Sequence, residues 1–154
     1  MTVPTLTLMR SREPDLEPLS RLIATEQDMA LVNPNAKFPF DPLEWREKWL
    51  GDLDDAAFYL LDREGREVGF FALRVGVGPE VRHLTYVFLA EAHRGGAGAR
   101  VTELVEEAAQ GLGALTITLK VETDNAPAMA AYLNAGYEEL SRSGGMATMR
   151  RDFG

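Results

Sequence analysis

Asn125-Ala126-Pro127-Ala128-Met129-Ala130-Ala131-Tyr132-Leu133-Asn134-Ala135-Gly136-Tyr137 carries the most specific local pattern in the chain. It predicts a short helix over residues 126–135, opened at Asn125 and closed by Gly136. Tyr132 stands seven residues after the asparagine and four before the glycine. The run just before it, residues 115–121, reads as a strand rich in branched side chains.

About thirty residues upstream lies His93-Arg94-Gly95-Gly96-Ala97-Gly98-Ala99. A strand over residues 84–89 leads into this turn, and the clearest helix of the chain follows it. Val101, Leu104, Val105, Ala108 and Leu112 recur at steps of three and four, with Glu103, Glu106 and Glu107 elsewhere on the surface. The backbone N–H groups at a helix start have no intrahelical partner, and the dipole there is positive. A pyrophosphate suits such a place. Gly95, Gly96 and Gly98 allow close backbone approach, and Arg94 can add charge-assisted contacts. The loop alone reads equally well as a plain turn. A Walker loop is excluded, because no lysine precedes a serine or threonine there. A dinucleotide fingerprint fails at its third glycine, where Val101 stands.

Residues 6–10 have β character. Ser11-Arg12-Glu13-Pro14-Asp15 marks a helix start, after which Leu16, Leu19, Ile23 and Ala30 keep helical spacing. Three prolines make residues 33–42 a loop. Asp41 is placed to cap a second helix, with Pro42 first and Glu44 third, carrying Leu43, Trp45, Trp49 and Leu50. Residues 56–61 and 67–75 read as a hairpin, as do residues 137–141 and 146–151. The order β-α-α-β-β-β-α-β-α-β-β implies a mixed sheet with helices on its faces.

The 154 residues suit one domain spanning 1–154. The net charge of −8 opposes non-specific nucleic-acid binding. Residues 11–55 hold eleven acidic side chains against five basic ones, either a solvated surface or a field drawing in a cationic amine. The absence of cysteine excludes a disulfide framework, a cysteine nucleophile and a thiolate metal site. No metal-ligand spacing stands out. No basic segment followed by an apolar run opens the chain, and no run of about twenty apolar residues occurs, so a cytoplasmic location without membrane contact is expected.

The two motifs together resemble the GNAT superfamily of N-acetyltransferases. Its second motif runs Asn-x-x-Ala-x-x-x-Tyr-x-x-x-Gly-Phe; Asn125, Ala128, Tyr132 and Gly136 match it, with Tyr137 in the aromatic place. Its loop runs Arg/Gln-x-x-Gly-x-Gly/Ala. Two registers are open, and the one placing His93 first and Gly96 and Gly98 at the glycines keeps both. The resemblance covers residues 82–151. It implies an α/β (α+β) fold, a mixed, mostly antiparallel sheet of six to seven strands flanked by about four helices. It implies acetyl-CoA as cosubstrate, held by Leu89, Arg94, Gly95, Gly96, Ala97, Gly98, Ala99, Asn125 and Tyr132. It implies Tyr132 at the leaving sulfur, as proton or hydrogen-bond donor, and Leu89 N–H at the thioester carbonyl. The base, where the family has one, is sought among Glu80, His83, Tyr86 and Glu122. Asn125 reads as helix cap, coenzyme contact, or both. The acceptor is then a primary amine of a small molecule or peptide, attacking directly. The alternatives are an acyl-CoA sensor or inactive relative, and an interaction domain. Phe38, Phe40 and Trp45 wall a pocket, or Trp45 and Trp49 serve the core or a dimer contact. Edge strands leave room for a homodimer.

Overall fold

The computed structural model describes residues 5–12, 15–94 and 96–153; Glu13, Pro14 and Gly95, all named above, lie outside them. Seven strands form one sheet in the order β1-β2-β3-β4-β5-β7-β6. They are β1 (Thr7–Ser11), β2 (Ala56–Leu61), β3 (Glu67–Gly76), β4 (Gly78–Leu89), β5 (Thr116–Glu122), β6 (Glu138–Ser143) and β7 (Met146–Asp152). Every pairing is antiparallel except β4 with β5. Five helices flank it: α1 (Glu17–Leu22), α2 (Glu26–Val32), α3 (Pro42–Glu44, continued by a π turn Trp45–Trp49), α4 (Gly98–Gly111) and α5 (Ala126–Asn134).

The sheet has a core on each face. On one, Phe58, Leu60, Phe71, Leu73, Leu84, Ile117 and Leu119 pack with Leu104, Val105, Ala108 and Ala109 of α4. On the other, Tyr59, Phe70, Ala72 and Phe88 pack with Leu19, Met29, Val32 and the fully buried Trp45. The side-chain alternation of strands lets β2 and β3 serve both.

The single long helix expected from Leu16 to Ala30 is two helices. Thr25 is extended, and its hydroxyl oxygen accepts from Asp28 N–H at 3.1 Å, capping α2 afresh. The restart shifts the buried face to Met29 and Val32 and leaves Ala30 exposed. Asp41 does cap α3, accepting from Leu43 N–H at 3.0 Å. Glu44 does not reach back as a capping box requires. Its carboxylate takes Lys37 N–H at 3.0 Å, fixing the proline loop instead.

Tyr137 is buried, and its hydroxyl has no hydrogen-bond partner. An unmet buried hydroxyl costs about 1–3 kcal/mol. Tyr137→Phe is therefore expected to raise stability by about 1 kcal/mol, which calorimetry reads as a Tm gain of about 2–4 °C. A lower Tm would show that the hydroxyl is satisfied.

Candidate active site

The site begins with an irregularity in β4. Phe70 pairs with Phe88 and Ala72 with Thr85, so Tyr86 and Val87 together oppose Phe71. Tyr86 takes φ 57°, a left-handed conformation uncommon outside glycine. Such a bulge bends its strand and increases the local twist. The parallel pairing of β4 with β5 ends at His83↔Thr118, and beyond it the two strands diverge. A wedge-shaped gap is left inside the sheet.

Leu89 lies on the open side of β4. Ala90 N–H donates to Val68 O at 2.7 Å, and N–H groups alternate along a strand, so Leu89 N–H points away from β3 into the gap. Its carbonyl, on the same side, accepts from Arg94 Nε–H at 2.6 Å. The Arg94 guanidinium also stands over the Phe88 ring, 5.3 Å from its centroid.

After a single 3-10 turn (Glu91–His93), the glycine loop delivers the chain to α4. Gly96 has φ 70°, which a side chain would strain. Ala97 caps the helix without a side-chain bond, and the first helical bond runs from Val101 N–H to Ala97 O at 2.9 Å. Gly98, Ala99 and Arg100 therefore carry the orphan donors. The Arg100 guanidinium is spent on Leu6 O. At Gly98 a Cβ would stand 3.2 Å from the Ala131 Cβ, which is how closely α4 and α5 approach.

A cleft of about 440 Å³ follows the open side of β4 to this helix start. Val87, Leu89, Arg94, Gly96, Ala97, Gly98, Asn125 and Tyr132 line it, with Val101, Thr102 and Val105 of α4. A neighbouring groove adds Ala99 and Glu103. A second cleft of about 550 Å³ opens on the α2 side of the gap, lined by Asn33, Trp49, His83, Thr85, Tyr86, Lys120 and Glu122 among others. Val87, Asn125, Ala128 and Tyr132 belong to both clefts, which therefore meet at Tyr132.

Asn125 caps α5, its side-chain oxygen accepting from Ala128 N–H at 3.3 Å. The Tyr132 ring meets Tyr137 edge-on with centroids 5.4 Å apart. Burial pushes the Tyr132 phenol up to about 12. A cysteine-like thiol lies near 8.5, so complete proton transfer from this phenol to a thiolate is uphill by about 5 kcal/mol. The site favours a phenol that donates a hydrogen bond and keeps its proton.

His83 sits at the apex of the gap, its Nδ1 2.9 Å from Thr118 Oγ1. Burial first, then the charges of Lys120 and Arg74, hold its pKa below the usual histidine value. Glu122 is exposed at the far side of the α2 cleft. Tyr86 is raised by burial, and its hydroxyl accepts from Arg74 at 3.4 Å. Glu80, near the start of β4, lines neither cleft. Trp49 walls the α2 cleft, whereas Trp45 is core, stacked on Phe40 at 5.4 Å. No carboxylate of the acid-rich first third lines either cleft. Asp15, Asp52 and Asp55 line a separate groove of about 650 Å³ with Arg12 and Arg46. Val87 and the bulge had no mark in the sequence.

A family model described as the acetyltransferase (GNAT) family matches residues 22–137. The chain belongs to that family. This GNAT protein is thus an acyl-CoA-dependent N-acetyltransferase, with acetyl-CoA as its cosubstrate. Solved structures of like fold include the spermidine N-acetyltransferase of Vibrio cholerae in complex with CoA and spermine, 19% identical with TM-score 0.72, covering 96% of this chain and 95% of that one. The Campylobacter jejuni N-acetyltransferase PseH in complex with acetyl coenzyme A is 14% identical with TM-score 0.68, covering 96% and 99%. The PaiA N-acetyltransferase of Thermoplasma acidophilum in complex with coenzyme A is 17% identical with TM-score 0.67, covering 97% and 99%. At such identities the likeness is one of fold. No curated protein matches the chain in sequence. Among the described residues no group of three or more His, Asp or Glu is placed to hold a metal ion, and no helix is long and apolar enough to cross a membrane.

Proposed function

We propose that this GNAT protein moves the acetyl group of acetyl-CoA to a primary amine of a small molecule or peptide, by direct attack in a ternary complex. The observation that carries the proposal is the meeting of two clefts at Tyr132. One suits a diphosphate on an apolar arm; the other has room for an acceptor.

The chain's own groups divide the work. The orphan N–H groups at the start of α4 grip the diphosphate. Val87, Val101 and Val105 give an apolar wall to the arm that follows. Leu89 N–H is placed to take the charge that develops on the thioester oxygen during attack. Tyr132 donates a hydrogen bond to the departing sulfur. With no cysteine in the chain, no thiol stores the acetyl group between half-reactions.

The attacking amine must be neutral, and for an amine of pKa about 10.4 this costs about 4.6 kcal/mol at pH 7. His83 is the base the geometry favours over Glu122, because it lies between the strands and is uncharged near neutrality. An imidazole base works only when unprotonated. Turnover measured as kcat/KM should thus fall as pH drops through a value below about 6.5. His83→Gln should remove that acidic limb and leave the rise set by the amine. An unchanged limb in the variant shifts the role to Glu122.

Coenzyme A and an amine panel test the whole reading. A ligand at one hundred times its Kd adds about 2.7 kcal/mol of stability, and acetyl transfer releases a free thiol. Stabilisation without thiol release on any amine would identify an acyl-CoA sensor. No stabilisation at all would leave an interaction domain.

A further inference from the structure

Two side chains that line the α2 cleft carry buried N–H donors with no partner in the protein. Asn33 is buried, 3% exposed, and lines the cleft where α2 ends. Its side-chain oxygen accepts from Asn35 N–H at 3.2 Å, which assigns the amide orientation, since only oxygen can accept. Its Nδ2 is left buried and without a partner. Trp49, on the same cleft, likewise keeps a buried Nε1–H with no acceptor. Two unmet buried donors on one cleft wall are uncommon, because buried N–H groups are almost always paired.

The charges there agree with the donors. Lys120 and Glu122 are the charged side chains among the described lining residues, one of each sign. Lys120 lines this cleft together with His83, and its charge helps hold the histidine pKa down. A single carboxylate beside a lysine is a poor trap for a polycation. The acid-rich first third offers no help, since none of its carboxylates lines this cleft, and Asp15, Asp52 and Asp55 line the separate groove of Arg12 and Arg46.

We infer that the acceptor is a small amine carrying an anionic oxygen group, an α-amino acid or an oxyacid analogue of one. Its oxygens take the N–H donors of Asn33 and Trp49 and the charge of Lys120, while its amino group turns toward His83 and Tyr132. The inference rests on the transfer reading above and narrows the acceptor class. A cleft built to donate to an oxyanion rejects an amine that lacks it, because its buried donors then stay unmet.

The test uses the full chain with acetyl-CoA and a panel of the twenty amino acids, their decarboxylated amines, spermine and a short peptide, read by thiol release. The best acceptor should be an amino acid, favoured over its decarboxylated partner by about 10- to 100-fold in kcat/KM, the range of charge-assisted hydrogen bonds. Asn33→Asp keeps the oxygen for Asn35 and places a carboxylate where a donor stood. It should raise KM for the amino acid about tenfold or more, without harming the decarboxylated amine. The exposed Lys120→Met should act in the same direction and guards against a folding defect in the first variant. A best acceptor without an anionic oxygen, or variants that weaken both partners equally, overturns the inference while leaving acetyl transfer standing. Absence of thiol release with every amine overturns the transfer reading itself.

Discussion

Tyr132→Phe is expected to lower kcat about 10- to 100-fold, with the Kd for coenzyme A within about twofold of the parent. A hydrogen bond to a charged atom contributes about 1.5–3 kcal/mol, and the leaving sulfur carries its charge only as the bond to carbon breaks. The ground-state complex should hardly register the loss. The ring itself remains, so its edge-on contact with Tyr137 and the apolar wall of both clefts persist. Single-turnover and steady-state kinetics separate the outcomes. A fall in coenzyme affinity with kcat intact would make residue 132 a wall of the cleft and nothing more. Because the phenol is held near 12 by burial, a basic limb assignable to its ionisation is not expected below about pH 10.

Gly98→Val should abolish coenzyme binding to a degree no other single change described above approaches, by about 100-fold or more in Kd. A Cβ at residue 98 already meets the Ala131 Cβ at 3.2 Å, and a branched side chain has two further carbons to place. Either α4 and α5 separate, or the branch swings into the cleft at the orphan N–H groups of the α4 start. Both routes damage the same site. Titration calorimetry with coenzyme A checks affinity, and circular dichroism checks that the fold survives. Gly98→Ala, which asks its neighbour to yield only a few tenths of an ångström, should give an intermediate loss. Parent-like affinity in the valine variant would move the coenzyme elsewhere on the protein.

The second half of the chain was the more legible. Ala128 and Tyr132 lie on one helix that Asn125 caps and Gly136 follows, a local spacing, so sequence alone placed them together. The strand and helix around the glycine loop carry similar local signals: a run of aromatic and branched residues, then apolar steps of three and four. Legibility failed where structure depends on partners far along the chain. Nothing in Thr85-Tyr86-Val87 announces a bulge, because the extra residue exists only relative to Phe71 on β3. Leu16 to Ala30 looked like one helix because apolar spacing survives a break, while Thr25 quietly offered a cap. Glu44 sat at the capping-box position and bonded Lys37 instead, since the folded loop brings that N–H within reach. The acidic bias of residues 11–55 was visible, but its direction was not. Composition is blind to which surface a helix presents.

The bulge in β4 leaves Tyr86 and Phe88 packed with the α2 side of the sheet while Val87 and Leu89 serve the opposite side. Under the transfer reading proposed above, that strand separates the acetyl donor on one flank from the acceptor on the other. Residues of the α2–α3 loop can then be redesigned without touching the flank proposed to hold the nucleotide. Exchanging the segment from Asn33 to Asn35 between such scaffolds should then transplant selectivity and leave the thioester machinery in working order.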